Sequence, residues 1–295
     1  MEDRLFYSGV SLLSACSWAI GAILWRKLGE QLSSYSMNLG KVAIGSIFLG
    51  FILLFIGLEP ISSRSLVFLG LSGILGIAIG DTFFFLSLMQ LGPRRASLMG
   101  SLNPVAIAIA AALFLDERPT PGVWLGIVVT TLGVGWVLWE RAAVRGAAAE
   151  NSSLGIRYGI LSVLCTAGAV LLAKVGVASV PTVQAAWIRL LAGVLGLMMW
   201  GAWRSELGKW LSPFSKGALL AKVAAVVSVV VVGGFWLSIV ALKHIDASIA
   251  GTLNSTSPLF ILPLSVLLMK EKLSFRTVLG TAVAVGGVAL ILLKV

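Results

Sequence analysis

Charged side chains make up only 12% of these 295 residues, about half the share found in soluble domains, whereas 58% are hydrophobic. A water-soluble fold cannot hide that much apolar surface, and a mean hydropathy of +1.02 places the chain in a bilayer. Histidine occurs once, at His244, where a turn is expected. That excludes a two-histidine zinc site and a Ser-His-Asp triad near the middle of the membrane. The two cysteines, Cys16 and Cys165, fall inside apolar runs and read as small apolar fillers, not as a disulfide or a metal pair. No glycine-rich phosphate loop is present, so pumping by hydrolysis within this chain is not supported. Neither a cofactor nor a metal is expected, and the protein does not read as an enzyme.

Cations exceed anions, 22 Lys and Arg against 12 Asp and Glu. They lie in short turns between apolar runs, where snorkelling at the interface explains them better than nucleic acid does. The opening Met1-Glu2-Asp3-Arg4 lacks the basic start of a signal peptide, and the first apolar run continues into the membrane domain.

The length allows about ten crossings at ~20 residues each. Apolar runs place them at Tyr7 to Trp25, Ser36 to Gly57, Leu66 to Gln90, Arg95 to Leu115 and Pro121 to Trp139. A polar linker follows, and then Leu154 to Ser179, Thr182 to Trp203, Gly217 to Leu242, Ala247 to Met269 and Ser274 to Leu293. Thr120 before Pro121, and Ser274, read as helix N-caps. Glycine series such as Gly40, Gly45 and Gly50, or Gly126 and Gly133, let helix backbones approach closely in lipid.

The chain repeats itself. Gly80 matches Gly234, Leu88 Leu242, Ser101 Ser255, Pro104 Pro258, Glu117 Glu271, Gly126 Gly280 and Gly133 Gly287, all in one frame, and Lys41 matches Arg189 at a slightly smaller offset. Five crossings per copy leave the second copy upside down. The fold class is therefore an all-α membrane protein of ten transmembrane helices in a 5+5 inverted repeat: residues 1–140, a linker at 141–153, and residues 154–295. In such architectures the substrate site lies near the bilayer midplane between the halves.

Motifs along both copies carry a family resemblance. They are Ser17-Trp18-Ala19, a cation in the second helix of each half, Ser101-Leu102-Asn103-Pro104 with Asp116-Glu117-Arg118, and Thr256-Ser257-Pro258 with Lys270-Glu271-Lys272. Together they resemble two tandem EamA-type domains of the drug/metabolite transporter superfamily. The resemblance implies a ten-helix secondary transporter of amino acids, related metabolites or toxic analogues, often acting in export or exchange. The first helix lacks the membrane-embedded Glu of the small multidrug members, which argues against their cation antiport.

Polar groups inside apolar helices mark the candidate site, because each costs a few kcal/mol unless water or a partner compensates it. Lys41 or Arg189 is expected to hold an anionic group while Asp81 holds a cationic one, as a zwitterionic amino acid requires. Asp81 equally reads as a proton-coupling group or as a fixed partner of Lys41. Pro104 and Pro258 are expected to kink helix interiors, with Asn103, Asn254 and Ser257 beside them as pocket candidates. Trp18, Phe85, Trp187 and Trp236 are candidate walls. Glu117 and Glu271 read as interfacial caps or gates.

The expected partners are a small-molecule substrate, the lipid bilayer and, through Asp81, a proton; nucleic acid is not expected, and a monomer is compatible with the repeat. A bacterial inner membrane is the expected location. The connections after helices one, three, five, seven and nine carry Arg26, Lys27, Arg94, Arg95, Arg141, Arg145, Arg157, Arg204, Lys209, Lys216, Lys270, Lys272 and Arg276. The opposite side has Arg4, Arg64, Arg118, Lys243 and Lys294. The positive-inside rule thus places both termini outside, whereas the family resemblance places them in the cytoplasm. The competing functions are a channel, a scaffold or an intramembrane enzyme and, among transporters, a nucleotide-linked metabolite or multidrug carrier.

Overall fold

The structure, a computed structural model, describes residues 2–28, 31–144, 153–269 and 274–294. The Lys270-Glu271-Lys272 motif and most of the linker lie outside the described residues. Among those described, nine helices are long and apolar enough to cross a bilayer: Glu2–Trp25, Ser34–Ile56, Ser63–Leu91, Ala96–Phe114, Pro121–Glu140, Ser153–Val177, Thr182–Trp203, Gly217–His244 and Phe275–Leu293. One further crossing, between the last two, is made in two pieces, Ala247–Asn254 and Ser257–Met269. In chain order these form spans one to ten, five in each half.

The helix starts follow from capping chemistry. Ser33, Ser62, Thr120 and Ser274 each accept a bond from the backbone N–H three residues on, at 3.1–3.4 Å. This satisfies a donor that the first turn leaves unpaired. The expected caps at Thr120 and Ser274 are therefore formed.

The prolines behave differently from the expected kinks. Span four is interrupted at Ser101 and Leu102, and Pro104 stands in the first turn of the segment Asn103–Phe114. Span nine is interrupted at Ser255 and Thr256, with Pro258 in the same place in Ser257–Met269. A proline there sacrifices no helical hydrogen bond, because first-turn amides have no partner within the helix. Ser101, Ser255 and Thr256 turn their hydroxyls back onto Leu98, Gly251 and Leu253 carbonyls. Pro263, by contrast, lies within the helix Ser257–Met269. His244, expected in a turn, ends the helix Leu237–His244 and stacks on Tyr7 with ring centroids 3.9 Å apart.

Spans three and eight each contain a wider π-helical stretch, Ile74–Gly80 and Val230–Trp236. A serine from a facing helix approaches each. Ser162 donates to the Gly80 carbonyl at 2.9 Å, and Ser14 to the Gly234 carbonyl at 2.7 Å. Both the serines and the glycines are repeat mates, so one hydrogen bond has been kept twice.

Packing obeys the same symmetry. Span one lies on spans eight and nine, and span six on spans three and four; span two packs on span seven, and span five on span ten. Exchanging the halves maps this set of contacts onto itself, as a two-fold axis requires. Odd crossings per half put that axis in the membrane plane. Each half therefore completes its core with helices of the other.

One end of the molecule is closed by polar ties. Glu117 accepts from the Ala247 and Ser248 amides at 2.6 and 3.1 Å and from the Ser248 hydroxyl at 2.8 Å, capping span nine. Lys174 donates to the Leu242 and Ile245 carbonyls, and Gln184 exchanges two bonds with the Glu59 backbone. The capping expected for Glu117 is formed, whereas Glu271 lies outside the described residues. Because the carboxylate of Glu117 also favours the positive end of the helix dipole, Glu117→Ala is expected to cost about 1–2 kcal/mol. Thermal melting of the purified variant measures it; an unchanged midpoint would show that the cap is dispensable.

Candidate transport site

Lys41 projects from span two and Asp81 from span three, directly after the π-helical stretch. Their charged atoms lie 3.5 Å apart, with side chains 20% and 39% exposed, so the pair borders a cavity instead of dry packing. Asn38, one turn before Lys41, donates to the Ile77 carbonyl at 3.4 Å. Of the roles open to Asp81 from the sequence, partnership with Lys41 is the one formed here.

The mates of these residues are Arg189 in span seven and Phe235 in span eight. Where the first half has a carboxylate facing its cation, the second half has a phenyl ring, 5.1 Å from the guanidinium carbon. The Nε of Arg189 is buried without a hydrogen-bond partner. Asp81 makes its ion pair with Lys41, and none joins it to Arg189. A cation–π contact contributes about 0.5–2 kcal/mol and leaves the guanidinium's donors unused. Among the described residues, duplication has thus produced two partly buried cations and one carboxylate in the middle of the protein.

Two cavities flank this cluster, and they too are mates. A cavity of about 230 Å³ is lined by Asp81, Phe84, Gly100, Asn103, Ser162 and Thr166, among others. A cavity of about 140 Å³ is lined by Trp18, Arg189, Phe235, Ser238 and Asn254, with apolar neighbours. Phe235, Ser238, Asn254 and Trp18 are the repeat mates of Asp81, Phe84, Gly100 and Thr166. Asn254 Oδ1 lies 3.1 Å from the Ser14 hydroxyl oxygen, and Trp18 reaches Ser238 at 3.5 Å.

A match to the EamA-like transporter family extends over residues 6–139 and again over 153–293. The chain belongs to the EamA-like transporter family. Both copies of the domain coincide with the two halves of the fold. An uncharacterized transporter of Archaeoglobus fulgidus is 24% identical over 287 residues, covering 96% of this chain and 97% of that protein. Protein LicB of Haemophilus influenzae is 26% identical over 289 residues, 94% of each chain. A solved crystal structure superposes with a TM-score of 0.78 at 19% identity, covering 100% of this chain and 98% of its own, which shows a shared fold. The protein is a multi-pass membrane transporter of this family, and ten spans in two inverted repeats are its architecture.

Of the residues expected at the site, Trp18, Arg189 and Asn254 share one EamA cavity, while Asp81 and Asn103 share the other with Lys41 against Asp81. Ser257, the mate of Asn103, opens the second piece of span nine outside both linings. Trp187 packs its indole nitrogen 3.0 Å from the position a Cβ on Gly50 would take. Trp236 donates to Thr182 at 3.0 Å. Phe85 meets Tyr35, which stacks on Trp210 at 4.9 Å. Trp210 sits in the short helix Leu207–Leu211, between spans seven and eight, and is 4% exposed. Tyr35, Trp210, Phe235 and Ser238 were not named from the sequence as site residues. For Phe235 and Ser238 the repeat frame was the available signal.

Proposed function

We propose that this transporter moves small polar metabolites bearing a carboxylate, amino acids foremost, by alternating access around a central site where Arg189 holds the carboxylate. One observation supports this reading above the rest: a guanidinium at the repeat interface, its Nε buried and unpartnered, has lost the counter-charge that its mate retains. A planar fork of donors matches a carboxylate bidentately. Beside it, the Trp18 ring and Asn254 Oδ1 offer a substrate ammonium a cation–π face and an acceptor. A cavity of about 140 Å³ suits a small metabolite. Nucleotide-linked metabolites and bulky drugs require more room. The inverted halves favour a rocking carrier over a channel or scaffold. Export or exchange is the direction the family resemblance implies, and related proteins in an archaeon and a bacterium support a prokaryotic plasma membrane.

Counterflow in proteoliposomes tests the reading. Vesicles preloaded with unlabelled amino acids or small carboxylates are expected to take up the labelled compound transiently and saturably. Flux that grows linearly with concentration would mean a channel, and exchange no faster than in protein-free vesicles for every carboxylate tried would remove the proposal.

A further inference from the structure

We infer that the cavity at Asp81 is a second, separate site, built for a dehydrated monovalent metal cation of the sodium class. Its polar lining offers oxygen and no second cation: the Asp81 carboxylate, the Asn103 amide, the Ser162 and Thr166 hydroxyls and the backbone at Gly100. Asn103 Oδ1 is buried with no hydrogen-bond partner. The backbone at Gly100 is released by the fold. Span four breaks just beyond it, and Pro104 has no amide to offer the carbonyl four residues before. Hard cations are bound by carboxylate, amide and main-chain oxygens, and interrupted membrane helices supply such carbonyls to sodium ions.

The mate cavity lacks this character. Phe235 replaces the carboxylate there, and Arg189 enters the lining. One half has kept an anionic, oxygen-rich pocket and the other has acquired a cationic one. Lys41 links them. It holds Asp81 at 3.5 Å, and a metal ion on that carboxylate competes with it. Once displaced, Lys41 adds its charge to a centre already carrying Arg189, so cation and anionic substrate bind with positive linkage.

The experiment is a thermal-shift titration of purified full-length protein with sodium chloride, repeated at several buffered pH values and holding ionic strength constant with choline chloride. A saturable rise in melting temperature is expected for the unaltered protein. Asp81→Asn is expected to abolish the rise, and Asn103→Ala to raise the half-saturating sodium concentration about tenfold, the effect of one lost charge-assisted ligand. Arg189→Gln is expected to keep the sodium response, which separates this site from the substrate reading. Melting that is identical in sodium and choline overturns the inference. So does a response to pH that sodium leaves unchanged, which assigns Asp81 to a proton, or a sodium response retained by a folded Asp81→Asn variant.

Discussion

Arg189→Gln is expected to weaken binding of the transported carboxylate by about 10–100-fold, the equivalent of losing one charge-assisted, bidentate contact. The same change is expected to leave the protein as stable as before, or more so. Arg189 makes no hydrogen bond through its buried Nε and has only a phenyl ring against its guanidinium. Removing a partly buried cation without an ion pair relieves a desolvation cost that the Phe235 ring offsets only in part. Loss of binding together with unchanged or raised stability is a combination that a structural residue does not give. Arg189→Lys keeps the charge but not the fork, and an intermediate affinity is expected. Ligand-induced melting shifts and counterflow on the three proteins check this. A glutamine variant with undiminished affinity would show that the carboxylate is held elsewhere, and one that melts well below the unaltered protein would show that Arg189 serves packing.

The second large effect lies far from the site. Spans five and ten meet along Gly126, Gly133 and Gly287. A Cβ on Gly133 would fall on the Ala284 backbone, and one on Gly287 on Thr130. In lipid no hydrophobic force draws helices together, so close backbone approach through small residues is what holds this pair. Gly133→Leu is expected to force the helices apart, costing about 3 kcal/mol or more as an overpacked contact that the backbone cannot yield to. It should appear as a lower melting temperature and loss of monodispersity in detergent. Gly135→Ala is the control, since its nearest neighbour, Ser101 Oγ, is 3.5 Å away in ordinary contact. If Gly133→Leu melted like Gly135→Ala, the seam would not be a determinant of assembly.

Much of this protein is legible from hydropathy because a bilayer imposes a simple rule: backbone polar groups must be satisfied within each crossing. All ten spans follow from apolar length, although span nine is made in two pieces. Lys41, Asp81 and Arg189 stand out for the same reason, as charges where charge is costly. The helix interruptions at Ser101 and Ser255 were less legible. Pro104 and Pro258 signal either a kinked helix or a fresh start, and which of the two forms shows only in the structure, where hydroxyls of Ser101, Ser255 and Thr256 turn back onto the Leu98, Gly251 and Leu253 carbonyls at each break. The π-helical stretches left no trace in composition, since the facing Ser14 and Ser162 come from other helices.

The sequence by itself determined the membrane class, the duplication and the residues carrying buried charge, because burial in lipid acts on each residue one at a time. Only the tertiary structure decided that Lys41 faces Asp81 while Arg189 faces Phe235, and that Trp187 and Trp236 pack away from both cavities. Those outcomes depend on which helix of one half meets which helix of the other. Hydropathy is blind to that pairing, whereas a charge left without its partner makes the pairing visible.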